Sequence, residues 1–336
     1  MVVDKNRCFI VKRYAKEMWF FFINNNSICY EVMNLDKIIE NSKLIDNVKF
    51  YDVDLDEKGN IYLVCVNDKN EIWYFINSNN NWKKTILVKS YYKHDYIDCV
   101  NIFTVNNKVH IFYSIVNIQN TKYIGHYYFN GYKWIKNSLY SLKNIKSYFI
   151  DYSINGDVFF LFNKNDNNGL YLSVFSDYHK KWKDEIKLNI QNIDIIKFFV
   201  DSKCNIHLIY NDKGKIFTRI LKNMQLDSKC MINENDQDIN YKIFELDEMI
   251  WIVWKCENNM YCRYSVDYGV SWSDSKKIKS NLGSDVVFIE NKEKMFKKID
   301  TFGDLENRVV FGIDYIDEIY LKDISLFKKI IGFFKR

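Results

Sequence analysis

Residues 49–88 read KFYDVDLDEKGNIYLVCVNDKNEIWYFINSNNNWKKTILV. Four short strands are legible in this stretch. Lys49 to Leu55 is the first, and Asp56-Glu57-Lys58-Gly59-Asn60 turns the chain, with Gly and Asn suited to positive φ. Ile61 to Val66 is apolar enough for burial on both faces, Glu71 to Ile76 follows a second turn, and Trp82 to Val88 closes the unit. Four antiparallel strands joined by tight turns make a meander. One such sheet cannot bury both of its faces, whereas sheets packed radially about a channel can.

The unit recurs at about 48 residues, a period that signals a repeat architecture. Its second strand returns as Val109-His110-Ile111-Phe112, Val158-Phe159-Phe160-Leu161, Ile206-His207-Leu208-Ile209 and Ile250-Trp251-Ile252-Val253, with an earlier copy from Met18 to Ile23. The fifth unit is the most degenerate, around Met224 to Ile232. A seventh, from about Ser284 to Lys322, rests on spacing alone. The expected fold is all-β: a β-propeller of six or seven four-stranded antiparallel blades in one domain, residues 1–322. Ring closure is expected from pairing of terminal strands, with Cys8 to Tyr14 beside Val309 to Ile313.

The chain has 336 residues, no proline and one alanine, Ala15, while Lys, Asn, Ile, Tyr and Phe abound. That bias fits an AT-rich coding sequence, so aromatic and asparagine content alone says little about function. None of the eight cysteines forms a C-x-x-C pair, and zinc-ligand spacing is absent. No apolar run reaches a membrane span, and the first ten residues lack a cleavable leader pattern. The expectation is a reduced, cytoplasmic protein with no cofactor and no metal.

Ser265-Val266-Asp267-Tyr268-Gly269-Val270-Ser271-Trp272 matches the pattern S-x-D-x-G-x-x-W, carried by Ser265, Asp267, Gly269 and Trp272. Partial copies place Asn77 and Asp177 five residues before a tryptophan, and Asn79, Gly131 and His179 three before. The motif resembles the Asp-box, or BNR repeat, of sialidase-like β-propellers. The resemblance implies a propeller whose Asp-boxes stabilise turns remote from the centre. It also implies three arginines clamping a carboxylate, a bidentate task for which Lys is a poor substitute. The chain has only Arg7, Arg13, Arg219, Arg263, Arg308 and Arg336, and lacks the family's early Arg-Ile-Pro. No catalytic residue is assigned.

Asp52, Asp54 and Asp56 alternate on one strand and so share a face, and Asp151 takes the place of Asp54 two units on. Grouped carboxylates repel unless solvated or bound to a cation. Asp52, Asp54 and Asp151 therefore form a candidate ligand or cation site at an exposed channel mouth, with Asp56 starting the turn. Tyr91, Tyr92 and Tyr96 suit stacking of a sugar or peptide there. From Ile324 onward the strand pattern ends. Residues 323–336 read as a basic amphipathic helix with Phe327, Ile330, Ile331, Phe333 and Phe334 on one side and Lys328, Lys329 and Lys335 on the other. The segment from Lys322 carries +4 of the chain's +5, so the body is nearly neutral and offers no nucleic-acid surface. The sequence favours a non-enzymatic binding or scaffold propeller for a carbohydrate or protein ligand, at the channel mouth or rim. A sialidase-like glycoside hydrolase, and a peripheral membrane or assembly protein using its C-terminal helix, stay open.

Overall fold

A computed structural model describes residues 7–311, apart from 15, 35–36, 90–94, 120, 143–144, 165–168, 192–193, 223–224, 228, 234–238, 257–258, 279–283, 291–297 and 305–308. The described residues form six sheets and no helix, and no helix among them is long and apolar enough to cross a membrane. Blades 2 to 6 begin with the strands Val48–Leu55, Tyr96–Val105, Ile145–Tyr152, Asp194–Val200 and Tyr241–Leu246. Each continues outward through a meander of antiparallel neighbours. The last strand is split in blade 4, into Lys181–Trp182 and Ile186–Gln191, and in blade 5, into Gln225–Leu226 and Cys230–Asn233. The blade 5 break falls where the repeat is most degenerate.

There are six blades because the seventh unit is absorbed into the first. Blade 1 runs Ile299–Asp304, Ser284–Glu290, Cys8–Tyr14, Glu17–Asn24, Ser27–Asn34 and Lys37–Ile45, with the short Val309–Val310 strand beside Ile299–Asp304. The expected closure between Cys8–Tyr14 and residues 309–313 is not the one found. Cys8 to Lys12 pair parallel with Val286 to Glu290, while Val309–Val310 pairs with Gly303 and Asp304. Ile299–Asp304 is the strand that reaches the axis: Lys298 and Asp300 line the central cavity with the first strands of the other five blades. A parallel joint needs no hairpin, only two ends of the chain arriving side by side, so no local turn signal announces it.

Apolar clusters fill the spaces between blades. Phe9, Val11, Trp19 and Phe21 pack against Val53, Leu55, Leu63 and Phe75 between blades 1 and 2. Phe244, Trp251 and Val253 meet Ile10, Val286, Phe302 and Phe311 between blades 6 and 1. Second strands sit between two such layers, and every residue of Ile61–Asn67 is buried. This is the two-faced burial their continuous apolar runs predict.

Gly125 faces Tyr113 across the strands of blade 3. A Cβ there would stand 2.1 Å from Tyr113 Cζ, so the tyrosine ring occupies the space a side chain would need. Gly125→Ala should displace Tyr113 and cost about 1–3 kcal/mol, as overpacked cores do. Chemical denaturation of the variant checks this, and an unchanged midpoint would show that the ring moves freely.

Candidate functional site

The acids singled out by sequence are buried, not exposed at a mouth: Asp52 is 2% and Asp54 0% accessible. Each reaches the next blade or the one beyond it in sequence order. Ile102 N donates to Asp52 Oδ2 at 2.9 Å. Thr104 N and Oγ1 donate to Asp54 Oδ2 at 2.5 and 3.0 Å. Val200 N donates to Asp151 Oδ2 at 2.6 Å, so Asp151 repeats the role of Asp54 between blades 4 and 5. Backbone N–H groups from a neighbouring first strand solvate the carboxylates in place of water, which is why the acids tolerate burial. Asp56 starts its turn as expected, accepting from Lys58 N at 2.9 Å and Asn60 N at 2.8 Å.

Between the first strands lies a cavity of about 350 Å³ whose wall includes Arg7, Asp52, Asp151, Lys197, Lys298 and Asp300. Lys298 Nζ donates to both oxygens of Asp52 at 2.7 Å and to Ile102 O at 3.0 Å. Asp300 pairs with Arg7 at 3.2 Å and Lys242 at 2.9 Å. Burial opposes ionisation of Asp300, but the charges of Arg7, Lys242 and Lys197 outweigh it and hold the carboxyl far below the usual range. Among the described residues no group of three His, Cys, Asp or Glu side chains is arranged to hold a metal ion.

The arginine clamp implied by the sialidase resemblance is not assembled among the described residues. Arg7 lines the cavity, whereas Arg13 Nε donates to Gly59 O at 2.6 Å between blades 1 and 2, and Arg263 Nη1 to Met231 O at 3.1 Å. The turn after Ser265 has the geometry its sequence implies. Gly269 N donates to Ser265 Oγ at 2.6 Å, Ser271 N to Asp267 Oδ1 at 2.8 Å, and Trp272 Nε1 to Gly269 O at 3.0 Å. Gly269, Gly131 and Asn79 take positive φ, but in blade 4 it falls on Lys180, one residue past His179. There Lys180 N donates to Ser176 O at 2.8 Å. Asp177 crosses to blade 3 instead, pairing with Lys108 at 2.7 Å. The tail residues Phe327 to Lys335 lie outside the described residues, as do Tyr91 and Tyr92.

A larger groove, about 730 Å³, opens between blades 2 and 3. Leu87 and Val88 come from the outer strand of blade 2, and Tyr96, Tyr113, Tyr123 and Tyr127 from three successive strands of blade 3. Tyr96 and Tyr123 are 47% and 41% accessible, so their rings are free to meet a ligand. Tyr113 and Tyr127 stack at 5.8 Å between centroids, and burial raises both phenol pKa values, so both stay neutral donors. Asp95, Asn117, Gln119 and Lys136 supply polar groups along the same groove. Sequence reading singled out Tyr96 but placed it at the channel mouth. It missed Tyr113, Tyr123 and Tyr127. Their alternation at i and i+4 along one strand, Tyr123 and Tyr127, puts both on one face and was the available signal.

No family model matches the sequence, and no curated protein matches it either. Among solved structures, the β-propeller domain of the Trilobed protease from Pyrococcus furiosus is similar at a TM-score of 0.51 and 10% identity, covering 79% of this chain and 78% of that one. A puromycin hydrolase S511A mutant complexed with PGG is similar at a TM-score of 0.59 and 6% identity, over 88% of this chain and 50% of that chain. Aleuria aurantia lectin in complex with α-methyl-L-fucoside has a TM-score of 0.48 and 13% identity, over 81% and 94% of the two chains. At these identities the likeness is one of fold. The protein is a six-bladed β-propeller.

Proposed function

We propose that this propeller is a non-catalytic binding module that takes a carbohydrate in the groove between blades 2 and 3. The observation that carries this reading is the convergence there of two accessible and two inner tyrosines with amide and charged side chains. Tyrosine offers an apolar face for the C–H side of a sugar ring and a hydroxyl for its polar edge. Asn117 and Gln119 each bring both a donor and an acceptor, which suits vicinal hydroxyls. The groove volume falls within the range of about 300–1,000 Å³ typical of small-ligand sites. The channel acids, by contrast, are taken up by backbone N–H groups and Lys298.

A glycan array with the full-length protein tests the proposal, run beside a panel of chromogenic glycosides. Specific retention of one glycan class without turnover is expected. Tyr96→Ala and Tyr123→Ala should each weaken that binding by about tenfold, the equivalent of losing one aromatic contact, with unchanged unfolding midpoints. Absence of glycan binding, or retention unaffected by both substitutions, would overturn the groove assignment. Turnover of any glycoside would overturn the non-catalytic reading.

A further inference from the structure

The channel cavity contains a cation that its surroundings hold only loosely. Lys197 lines the cavity from the first strand of blade 5. Its nearest carboxylate oxygen is Asp300 Oδ2 at 3.6 Å, beyond hydrogen-bond reach. Asp300 is already engaged on its other oxygen by Arg7 at 3.2 Å and Lys242 at 2.9 Å. Lys242 in turn holds Asp285 at 2.8 Å. At this end of the channel Arg7, Lys197 and Lys242 therefore face Asp285 and Asp300, three cations to two anions. The remaining charges on the wall are settled elsewhere. Asp52 is held bidentately by Lys298, and Asp151 accepts from Tyr152 N at 2.9 Å and Val200 N at 2.6 Å. Burial lowers the Lys197 pKa despite Asp300, in keeping with an ammonium short of partners.

We propose that this end of the channel binds the carboxylate of a small monocarboxylic acid through Lys197, with the acid's apolar body against Phe149, Ile196 and Phe198. One added negative charge balances the local excess and supplies the hydrogen-bond acceptor that the ammonium lacks. The apolar side of the cavity and its volume of about 350 Å³ select a compact acid rather than a polyanion. The site is separate from the groove between blades 2 and 3, and its test does not depend on that groove.

Isothermal titration calorimetry of the full-length protein with benzoate, glucuronate, inorganic phosphate and the neutral benzamide makes the test. Saturable binding of benzoate is expected, with benzamide weaker by about tenfold or more, the worth of one charge-assisted hydrogen bond. Lys197→Met, which keeps the stem and removes the charge, should weaken benzoate by a similar factor without lowering the unfolding midpoint. Tyr96→Ala should leave benzoate binding unchanged. Glucuronate binding that is lost in Lys197→Met but kept in Tyr96→Ala would still support the carboxylate site and extend it to sugar acids. Binding of phosphate in preference to both acids, no saturable binding of either, or equal binding by Lys197→Met would overturn it.

Discussion

Asp54→Ala is expected to destabilise the propeller by about 3–5 kcal/mol, the range for removing one partner of a buried charged interaction. The carboxylate is fully buried, and Oδ2 accepts from both Thr104 N and Thr104 Oγ1. Alanine leaves that backbone N–H without its acceptor inside the interface between blades 2 and 3. Thr104 Oγ1 keeps Leu55 O as an alternative acceptor at 2.8 Å, so the backbone donor carries most of the loss. Urea unfolding of Asp54→Ala beside exposed Asp184→Ala checks this, the latter staying within about 0.5 kcal/mol of the parent. Equal midpoints for the two variants would mean that the inter-blade carboxylate contributes nothing net. Since the groove spans the same two blades, Asp54→Ala should also weaken any ligand bound there, through lost order rather than lost contact.

Stability should fall steeply as pH drops below about 6.5, the ordinary histidine value. His110 and His126 are both wholly buried in blade 3, with His110 Nδ1 and His126 Nε2 3.1 Å apart. Phe103 and Phe112 stack on them, and Phe175 meets both rings edge-on. Burial lowers the His110 pKa to about 3 and places that of His126 well below its ordinary value. His110 Nε2 and His126 Nδ1 have no hydrogen-bond partner, so a proton added there would be both charged and unpaired. Both folded-state pKa values are depressed. The unfolded chain therefore takes up protons first as pH falls, and the stability present above pH 6.5 is lost on the acid side. Two such histidines give a slope of up to about 2.7 kcal/mol per pH unit, or about 5 kcal/mol between pH 6.5 and 4.5. The depressed Asp300 carboxyl acts only at still lower pH, below the ordinary carboxylate value. Denaturant midpoints across pH 7.5 to 4.5 test the expectation. His126→Phe should roughly halve the slope, and a flat profile in the parent protein would refute the buried neutral pair.

The same histidines illustrate what a repeat pattern conceals. His110 and His207 hold the same place in two second strands, yet their partners differ. His110 meets another histidine, whereas His207 Nε2 lies 2.9 Å from Asp201 Oδ2. Sequence position identifies a buried place in the blade. The neighbour is supplied by the next strand, Gly125-His126 in one case and the Asp201 turn in the other.

Local pattern determined the blade. Continuous apolar second strands, turns rich in Asn and Gly, and the Ser265–Trp272 motif specify short antiparallel strands with a period near 48 residues, and the structure follows them closely. The acidic positions were legible too, and so was the equivalence of Asp54 and Asp151. Their role was not, because the donors Thr104 and Val200 stand 50 and 49 residues away. That distance is one repeat. It becomes a contact only when successive blades pack side by side.

Tertiary structure decided the rest for the same reason. Whether a seventh unit makes its own blade depends on whether a place remains at the axis. Here Ile299–Asp304 takes the sixth place and Ser284–Glu290 joins Cys8–Tyr14 in parallel. Lys298 reaches Asp52 across 246 positions of sequence, and the tyrosine groove exists only where the outer edge of blade 2 meets the face of blade 3. Periodicity encodes contacts within a repeat, whereas channel charge and groove shape arise between repeats, where closing the ring sets the distances.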